Sequence, residues 1–347
     1  MDKATVCVIF GGQSSEYGVS LKSAYTVLCE IDYKKYNVIR IGITREGKWY
    51  IFKGSNEEII NDTWFFGHVY SVSLDINSGI FICENGERIY ADVVFPVLHG
   101  KGGEDGRLQG LLDLAGIKYI GCGAYSSHTG IDKHLSKLIA WECGAEIAPY
   151  TVINKNEKIA FERIKKWADD VGYPIYVKDA YGGSSVGVYR AENPKELALA
   201  IDILVSVCDK ILIEKGISGK ETEIAVMEIK GEITVSQCGE ISYKTDFYDY
   251  DAKYNSTDIE YIIPAEIGAE TEKRAREMAK KIFISLGCSH LCRVDFFVTD
   301  MGEIIFNEVN TLPGFTKISM FPKLFLAQDL SFAQIIDYLI DNVLKKG

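Results

Sequence analysis

Arg293-Val-Asp-Phe-Phe-Val-Thr-Asp-Met-Gly-Glu-Ile-Ile-Phe-Asn-Glu-Val-Asn-Thr-Leu-Pro-Gly314 is the stretch around which the rest of the chain is organised. Two runs rich in Val, Ile and Phe flank Asp300-Met301-Gly302, and the spacing predicts two antiparallel strands joined by a short glycine turn. Side chains alternate along a strand, so Arg293 and Asp295 share one face, as do Glu308 and Asn310 on the return. If the two faces coincide, Asp295, Glu308 and Asn310 offer only oxygen ligands, a set suited to a hard ion such as Mg2+ shared with nucleotide phosphates. An ordinary hairpin with its polar face in water carries the same pattern, and these residues alone do not separate the two.

The chain has 347 residues, 47% hydrophobic and 25% charged, enough for two or three packed domains. No apolar run approaches the ~20 residues of a membrane span, and Val6 to Phe10 is too short for a signal-peptide core, so a soluble cytoplasmic protein is expected. Nine cysteines, an odd number scattered among hydrophobic neighbours, suit reduced core positions better than a disulfide framework. Cys288, His290 and Cys292 lie close together, but no further Cys or His stands at zinc-ligand spacing. A net charge of -11 argues against nucleic acid or acidic membranes as partners, so anionic ligands must be held locally.

From the N-terminus, Thr5 to Phe10 reads as a buried strand, Gly11-Gly12 as a turn, Val19 to Cys29 as a helix and Val38 to Ile43 as a second strand. Glu16, at the helix start, could hold a ligand ammonium or simply complement the helix dipole. Residues 45 to 90 read as short strands and loops. The strand Ala91 to Leu98 runs into His99-Gly-Lys-Gly-Gly-Glu-Asp-Gly106, which puts His99 where open α/β sheets bind ligands; a purely structural histidine is the other reading. Lys133 opens a helix, and Tyr173 to Lys178 is a short strand followed by Gly182-Gly-Ser-Ser-Val-Gly187. That loop can wrap phosphate oxygens, with Lys133 and Lys178 adding point charges, although a tight hairpin and solvated lysines give the same sequence. Asn193-Pro194 with Glu196 marks the start of a scaffold helix to 207. The strand ending in Glu214-Lys215 can present backbone groups to an adenine edge, and Glu221 could accept ribose hydroxyls. Phe247 to Tyr254 is too polar and aromatic to be core, a helix spans 270 to 286, and an amphipathic helix near Phe332 to Leu344 ends the chain.

Taken in order, Gly11-Gly-Gln-Ser-Ser-Glu16, His99-Gly100, Gly183-Ser-Ser-Val-Gly187 and Asn310-Thr-Leu-Pro-Gly-Phe-Thr316 resemble the D-alanine–D-alanine ligases of the ATP-grasp superfamily. The resemblance covers essentially the whole chain. It implies an α/β (in part α+β) fold of three domains, 1–130 being Rossmann-like, 131–218 the central unit and 219–347 the C-terminal unit, with ATP between the last two. It implies ATP as co-substrate, Mg2+ or Mn2+ on Asp295, Glu308 and Asn310, D-amino acids as substrates and a homodimer. By position it assigns Lys133, Lys178, Lys215 and Lys253 to the phosphates or their vicinity. Ser184, Ser185, Glu214 and Ile217 become further nucleotide contacts, and Glu221 goes to the ribose.

Glu16 would bind the ammonium of the first D-alanine, with His99 beside its carboxylate, and Ser184 would couple Glu16 to Tyr254. Arg293 and the Gly314 N–H would stabilise an oxyanion, and Tyr248, Ser319 and Met320 would border the acceptor. The resemblance favours D-alanine as acceptor, with a D-alanine–D-serine ligase as the alternative. Asp179, where the family usually has proline, and Tyr181-Gly182 depart from its pattern. A nicotinamide dehydrogenase would rest on the strand-turn-helix opening, but the fingerprint G-x-G-x-x-G is not present; a nucleotide sensor would need lost catalytic groups.

Overall fold

The first strand, β1 (Ala4–Gly11), is buried along Val6 to Phe10 because it runs parallel to a neighbour on each side, β2 (Tyr36–Ile43) and β7 (Val93–Val97). The computed structural model describes residues 3–155, 157, 160–183, 187–243 and 259–345. Between β2 and β7 the chain adds β3 (Trp49–Phe52), β4 (Val69–Asp75), β5 (Ile80–Cys83) and β6 (Arg88–Ile89), giving the order β6-β5-β4-β3-β2-β1-β7. Pro96 is tolerated because β7 lies at the end of that order, where one side needs no ladder donor.

Helix α1 (Tyr17–Glu30) follows the Gly11-Gly12 turn, and a Cβ at Gly11 would lie 2.1 Å from the Ile43 carbonyl oxygen. At φ +91 only glycine turns here without strain, and the turn delivers Glu16 to the N-terminal end of α1. Helices α2 (Asn56–Ile60) and α3 (Arg107–Leu114) complete this part.

Helix α4 (Ala124–Ile131) leads to α5 (Lys133–Glu142), whose first turn is capped by Asp132 accepting from His134 N and Leu135 N. The short strand β8 (Glu146–Ile147) then joins the edge of the third sheet. The middle sheet is antiparallel, order β11-β10-β12-β9, built from β9 (Tyr150–Asn154), β10 (Ile175–Asp179), β11 (Val188–Ala191) and β12 (Lys210–Lys215). Its helices α6 (Phe161–Val171) and α7 (Pro194–Val205) pack on it, and their residues share a core with its strands. Asn193 caps α7 as the sequence predicts, accepting from Lys195 N and Glu196 N, although α7 ends at Val205 rather than 207.

The third sheet runs β16-β15-β13-β17-β18-β8, from β13 (Lys220–Ile229), β15 (Gly239–Tyr243), β16 (Ile259–Ile262), β17 (Leu291–Val298) and β18 (Ile304–Asn310), with β14 (Glu232–Val235) paired to β13. Behind it lies α8 (Ala269–Ser285), and α9 (Met320–Leu326) and α10 (Phe332–Lys345) follow. These last two helices fill a core shared by the first and third sheets: Phe315 meets Phe95 edge-on at 5.7 Å, and Phe321, Ile336 and Leu339 join Val6, Val8, Ala225 and Met227. The loop after β18 is thereby held against β7 and α1. Helix α5 and strand β8, in the stretch assigned above to the central unit, pack on β18.

Candidate active site

The hairpin β17–β18 has a bulge that decides which side chains meet. Near the turn, Val298 opposes Ile304, Phe297 opposes Ile305 and Phe296 opposes Phe306; beyond the bulge, Asp295 opposes Glu308 and Arg293 opposes Asn310. Had the register near the turn continued without the bulge at Asn307, Asp295 would face Asn307, and Glu308 and Asn310 would turn to the other side of the sheet. β13 adds Glu223 directly opposite Asp295. Arg293 donates from Nε to Asp295 Oδ1 and from its terminal nitrogen to Oδ2, both at 2.8 Å, and lies 3.0 Å from Glu223 Oε2. Burial alone would weaken its charge, but Asp295 and Glu223 hold the guanidinium well above its ordinary pKa. Asn310 Nδ2 donates to Asp295 Oδ2 at 2.9 Å, which leaves its amide oxygen as the remaining acceptor.

Among the described residues no three His, Cys, Asp or Glu side chains converge as a metal centre. An ion here would take Asp295, Glu308 and the Asn310 oxygen and complete its shell with oxygens from elsewhere, which is how Mg2+ is held beside phosphates. The hard oxygen donors of this strand pair fit that role.

A row of charges, half-buried at Glu308 and Lys133 and buried at Lys137 and Glu214, crosses from this hairpin to the middle sheet. Lys133 Nζ lies 3.0 Å from Glu308 Oε2 and donates to the Gly182 carbonyl at 2.6 Å. Lys178 pairs with Glu214 Oε1, and Lys137, fully buried on α5, lies 2.9 Å from Glu214 Oε2. Burial would push the Glu214 carboxyl up, but the two ammonium groups bring it down to about 2. Burial likewise opposes the charge of Lys178, yet Glu214, then Glu308 and Glu221, keep its pKa above the ordinary value.

Lys215 is not brought there. It opposes Ile175 while Glu214 opposes Tyr176, so strand alternation turns it to the opposite face from Lys178 and Glu214. Its ammonium donates to the carbonyls of Gly172 and Tyr173 at 2.9 and 2.8 Å. Ile217 follows, half-buried, in the connection to β13.

Glu214→Gln is expected to destabilise the fold by ~3 kcal/mol or more in urea unfolding, because it leaves two buried lysines without their counter-ion. The carboxyl is depressed, so its contribution is complete above the ordinary carboxylate range and is lost as pH falls from about 4.5 toward about 2. A stability difference between the wild type and the Gln variant that shrinks as pH falls through that window checks the sign.

The first sheet supplies the opposite wall. Glu16 is buried, its N–H donating to Ser14 Oγ at 3.0 Å, and Gly100 passes so close that a Cβ there would fall 2.2 Å from Glu16 Oε2. A Cβ at Gly183 would lie 3.2 Å from the same oxygen, so the middle sheet's loop also reaches this carboxylate. His99 is held by Glu104 Oε1 at 3.3 Å on Nδ1 and by Ser23 Oγ at 3.0 Å on Nε2. Glu16, His99, Gly183, Arg293, Gly314 and Met320 border one cavity of about 100 Å³. Lys133, Gly100, Glu308 and Asn310 border a smaller one of about 30 Å³, which shares Gly183, Glu308 and Asn310 with the first.

Ser319 borders the cavity too, but its hydroxyl is engaged by Thr316, accepting from Thr316 N at 3.0 Å and bonding Thr316 Oγ1 at 2.7 Å. Ser184, Ser185, Tyr248, Lys253 and Tyr254 lie outside the described residues. At the two departures from the family pattern, Asp179 Oδ1 accepts from Tyr181 N at 3.0 Å, and the Tyr181 ring stacks on His128.

Sequence reasoning overlooked Lys137, Glu223 and Ser23. Lys137 stands one helical turn after Lys133, and Glu223 two residues after Glu221, so helix and strand periods carried a signal for both. Nothing in the pattern around Ser23 distinguished it from the neighbouring small residues of α1.

A first sheet that is parallel at β2-β1-β7, an antiparallel middle sheet and a third sheet whose Glu308 carboxylate meets Lys133 define an ATP-grasp enzyme. The family model described as D-ala D-ala ligase N-terminus matches residues 5–122, and that described as D-ala D-ala ligase C-terminus matches residues 139–341. The D-alanine–D-alanine ligase of Caldicellulosiruptor bescii is 41% identical over 353 residues, covering 100% of this chain and 97% of its own. That of Ruminiclostridium cellulolyticum is 41% identical over 361 residues, covering 98% and 95%. The solved VanG D-Ala:D-Ser ligase from Enterococcus faecalis superposes with a TM-score of 0.89 at 38% identity, covering 98% of this chain and 99% of that one. The chain belongs to the D-alanine–D-alanine ligase family.

Proposed function

We propose that the protein joins two D-alanines into D-alanyl-D-alanine at the expense of ATP, as a step of peptidoglycan precursor synthesis in the cytoplasm. The observation that carries this reading is the cavity with the Glu16 carboxylate on one wall and the Arg293 guanidinium and Gly314 on another, adjoined by the smaller one that Lys133 and Glu308 border. An amino acid needs both an anion for its ammonium and cations for its carboxylate, and ATP needs cations for its phosphates. The reading includes the three-unit division at 130 and 218 and a homodimer, the assembly the family implies.

A carboxylate carbon is a poor electrophile. The first D-alanine, its ammonium on Glu16, therefore attacks the γ-phosphorus through a carboxylate oxygen, giving ADP and an acyl phosphate. Lys133 and Lys178 offset the charge of the transferring group. Asp295, Glu308 and Asn310 would hold Mg2+ or Mn2+, which when bound neutralises phosphate charge. The amine of the second D-alanine, deprotonated, adds to the acyl carbon. Arg293 and the Gly314 N–H hold the tetrahedral oxygen until the carbon–oxygen bond to phosphate breaks. The test is ADP release with D-alanine, D-serine and D-lactate offered in turn, with each product identified by mass.

D-Alanyl-D-alanine is expected as the main product when D-alanine and D-serine compete at equal concentration. Met320 offers a hydroxyl no donor, and the Ser319 hydroxyl is already engaged by Thr316. Burying the serine hydroxyl there costs ~1–3 kcal/mol, roughly tenfold or more in preference. A D-serine acceptor is the second reading, favoured by the likeness to the VanG D-Ala:D-Ser ligase. Mostly serine product in the competition would establish it instead.

A further inference from the structure

Ser23 lies in the middle of α1, has no exposed surface, and sits behind the wall that His99 presents to the cavity. Its hydroxyl has two partners among the described residues. It accepts from the Phe315 N–H at 3.2 Å, and it contacts His99 Nε2 at 3.0 Å. A hydroxyl buried to this degree does not leave its proton unpartnered, because that loss is not recovered from water. The Phe315 N–H is a donor, so the serine proton must go to Nε2. The ring proton then sits on Nδ1, facing Glu104 Oε1 at 3.3 Å.

We propose that Ser23 is a positioning residue for the ligation, fixing His99 as its Nδ1–H tautomer and, through the same oxygen, seating the turn that carries Gly314. The proposal rests on the ligase reading and names a part of the site that reading does not assign. The first sheet and the third meet at this oxygen: His99 ends the strand segment after β7, and Phe315 follows Gly314 in the turn after β18. Both ring nitrogens of His99 are committed to protein groups, so the ring meets the first substrate as a fixed wall. Gly314 has no side chain to hold its own peptide, and a Cβ there would lie 2.8 Å from Ser319 Oγ. The hydrogen bond one residue on is what anchors it.

The test combines kinetics with the nitrogen shifts of the His99 ring, read on 15N-histidine protein without substrates at a pH where the ring is neutral. Five histidines make the spectrum assignable with a His99→Gln control. The wild type is expected to show a protonated Nδ1 and a bare Nε2. In Ser23→Ala that preference is expected to relax and kcat to fall by ~10-fold or more, as small displacements at a reacting centre do, with KM for ATP little changed. Ser23→Cys, of similar size and with a weak donor, is expected to recover part of the loss.

A proton on Nε2 in the wild type overturns the proposal. So does a Ser23→Ala protein that melts earlier but keeps kcat to within about twofold, because transition-state stabilisation is then intact. Failure of the ligase reading is distinguishable, since it would appear as no dipeptide from the wild type whatever the ring shifts show.

Discussion

Glu308→Gln is expected to lower the rate of dipeptide formation by ~10³-fold or more, with little change in stability, since a metal's stabilisation of phosphoryl transfer is worth several kcal/mol. Glu308 pairs with Lys133 at the cavity margin and is partly exposed, so neutralising it removes an ion pair of the weakly stabilising kind. Glutamine keeps the size and one oxygen but not the charge a hard divalent ion requires. The effect should therefore fall on turnover and on the Mg2+ concentration needed for half-maximal rate. Asp295→Asn should act in the same direction and cost stability as well, because Asp295 is buried and carries both hydrogen bonds from Arg293. Turnover of the Gln variant close to that of the wild type at ordinary Mg2+ would remove Glu308, and with it the hairpin, from the metal assignment.

The hairpin also shows where the sequence stops being sufficient. Its two strands, its glycine turn and the pairing of polar residues on each strand follow from alternation, but alternation does not say that the two faces coincide. Counting back from the turn without interruption puts Asp295 opposite Asn307 and sends Glu308 to the far side. The bulge that corrects this has no signature in Phe306-Asn-Glu308, which reads as regular strand. The elements that were legible have local causes: the Gly11-Gly12 turn, which no side chain could make, and the α7 cap, built by Asn193, Pro194 and Glu196 within one turn. The Lys215 ammonium is turned from the cluster for a non-local reason. Its assignment to the phosphates came from the family, but its neighbour Glu214 faces the cluster, and period two then turns Lys215 to the carbonyls of Gly172 and Tyr173. Ser23 depends on Phe315, far along the chain, and such a contact becomes visible only when α9 and α10 join the first and third sheets.

The charged cleft has a common logic despite the acidic chain around it. Each lysine or arginine in it is already matched with a carboxylate: Lys133 with Glu308, Lys178 and Lys137 with Glu214, and Arg293 with Asp295 and Glu223. Three buried groups, Lys137, Glu214 and Lys178, sum to one positive charge. Lys137 and Lys178 together outweigh the single charge of Glu214, so the cluster stays cationic.

Arg293→Ala is expected to reduce kcat by ~100-fold or more, the loss typical of removing one oxyanion donor, while KM for ATP changes less. The interpretation needs a second variant, because Arg293 has a structural duty too. It is the counter-ion of Asp295 and Glu223, which oppose each other on β17 and β13, and deleting it leaves two buried carboxylates side by side. Arg293→Lys separates the duties. An ammonium restores the charge between the carboxylates, but it cannot reproduce the planar fork that meets both Asp295 oxygens and still faces the cavity. The lysine protein is therefore expected to regain most of the stability measured by urea unfolding and to remain at least ~10-fold slow. Full recovery of turnover by lysine would reduce the role of Arg293 to charge balance. A change confined to KM for ATP in the alanine protein would make it a nucleotide contact, and the tetrahedral oxygen would then have to be held by the Gly314 N–H with a partner from another element.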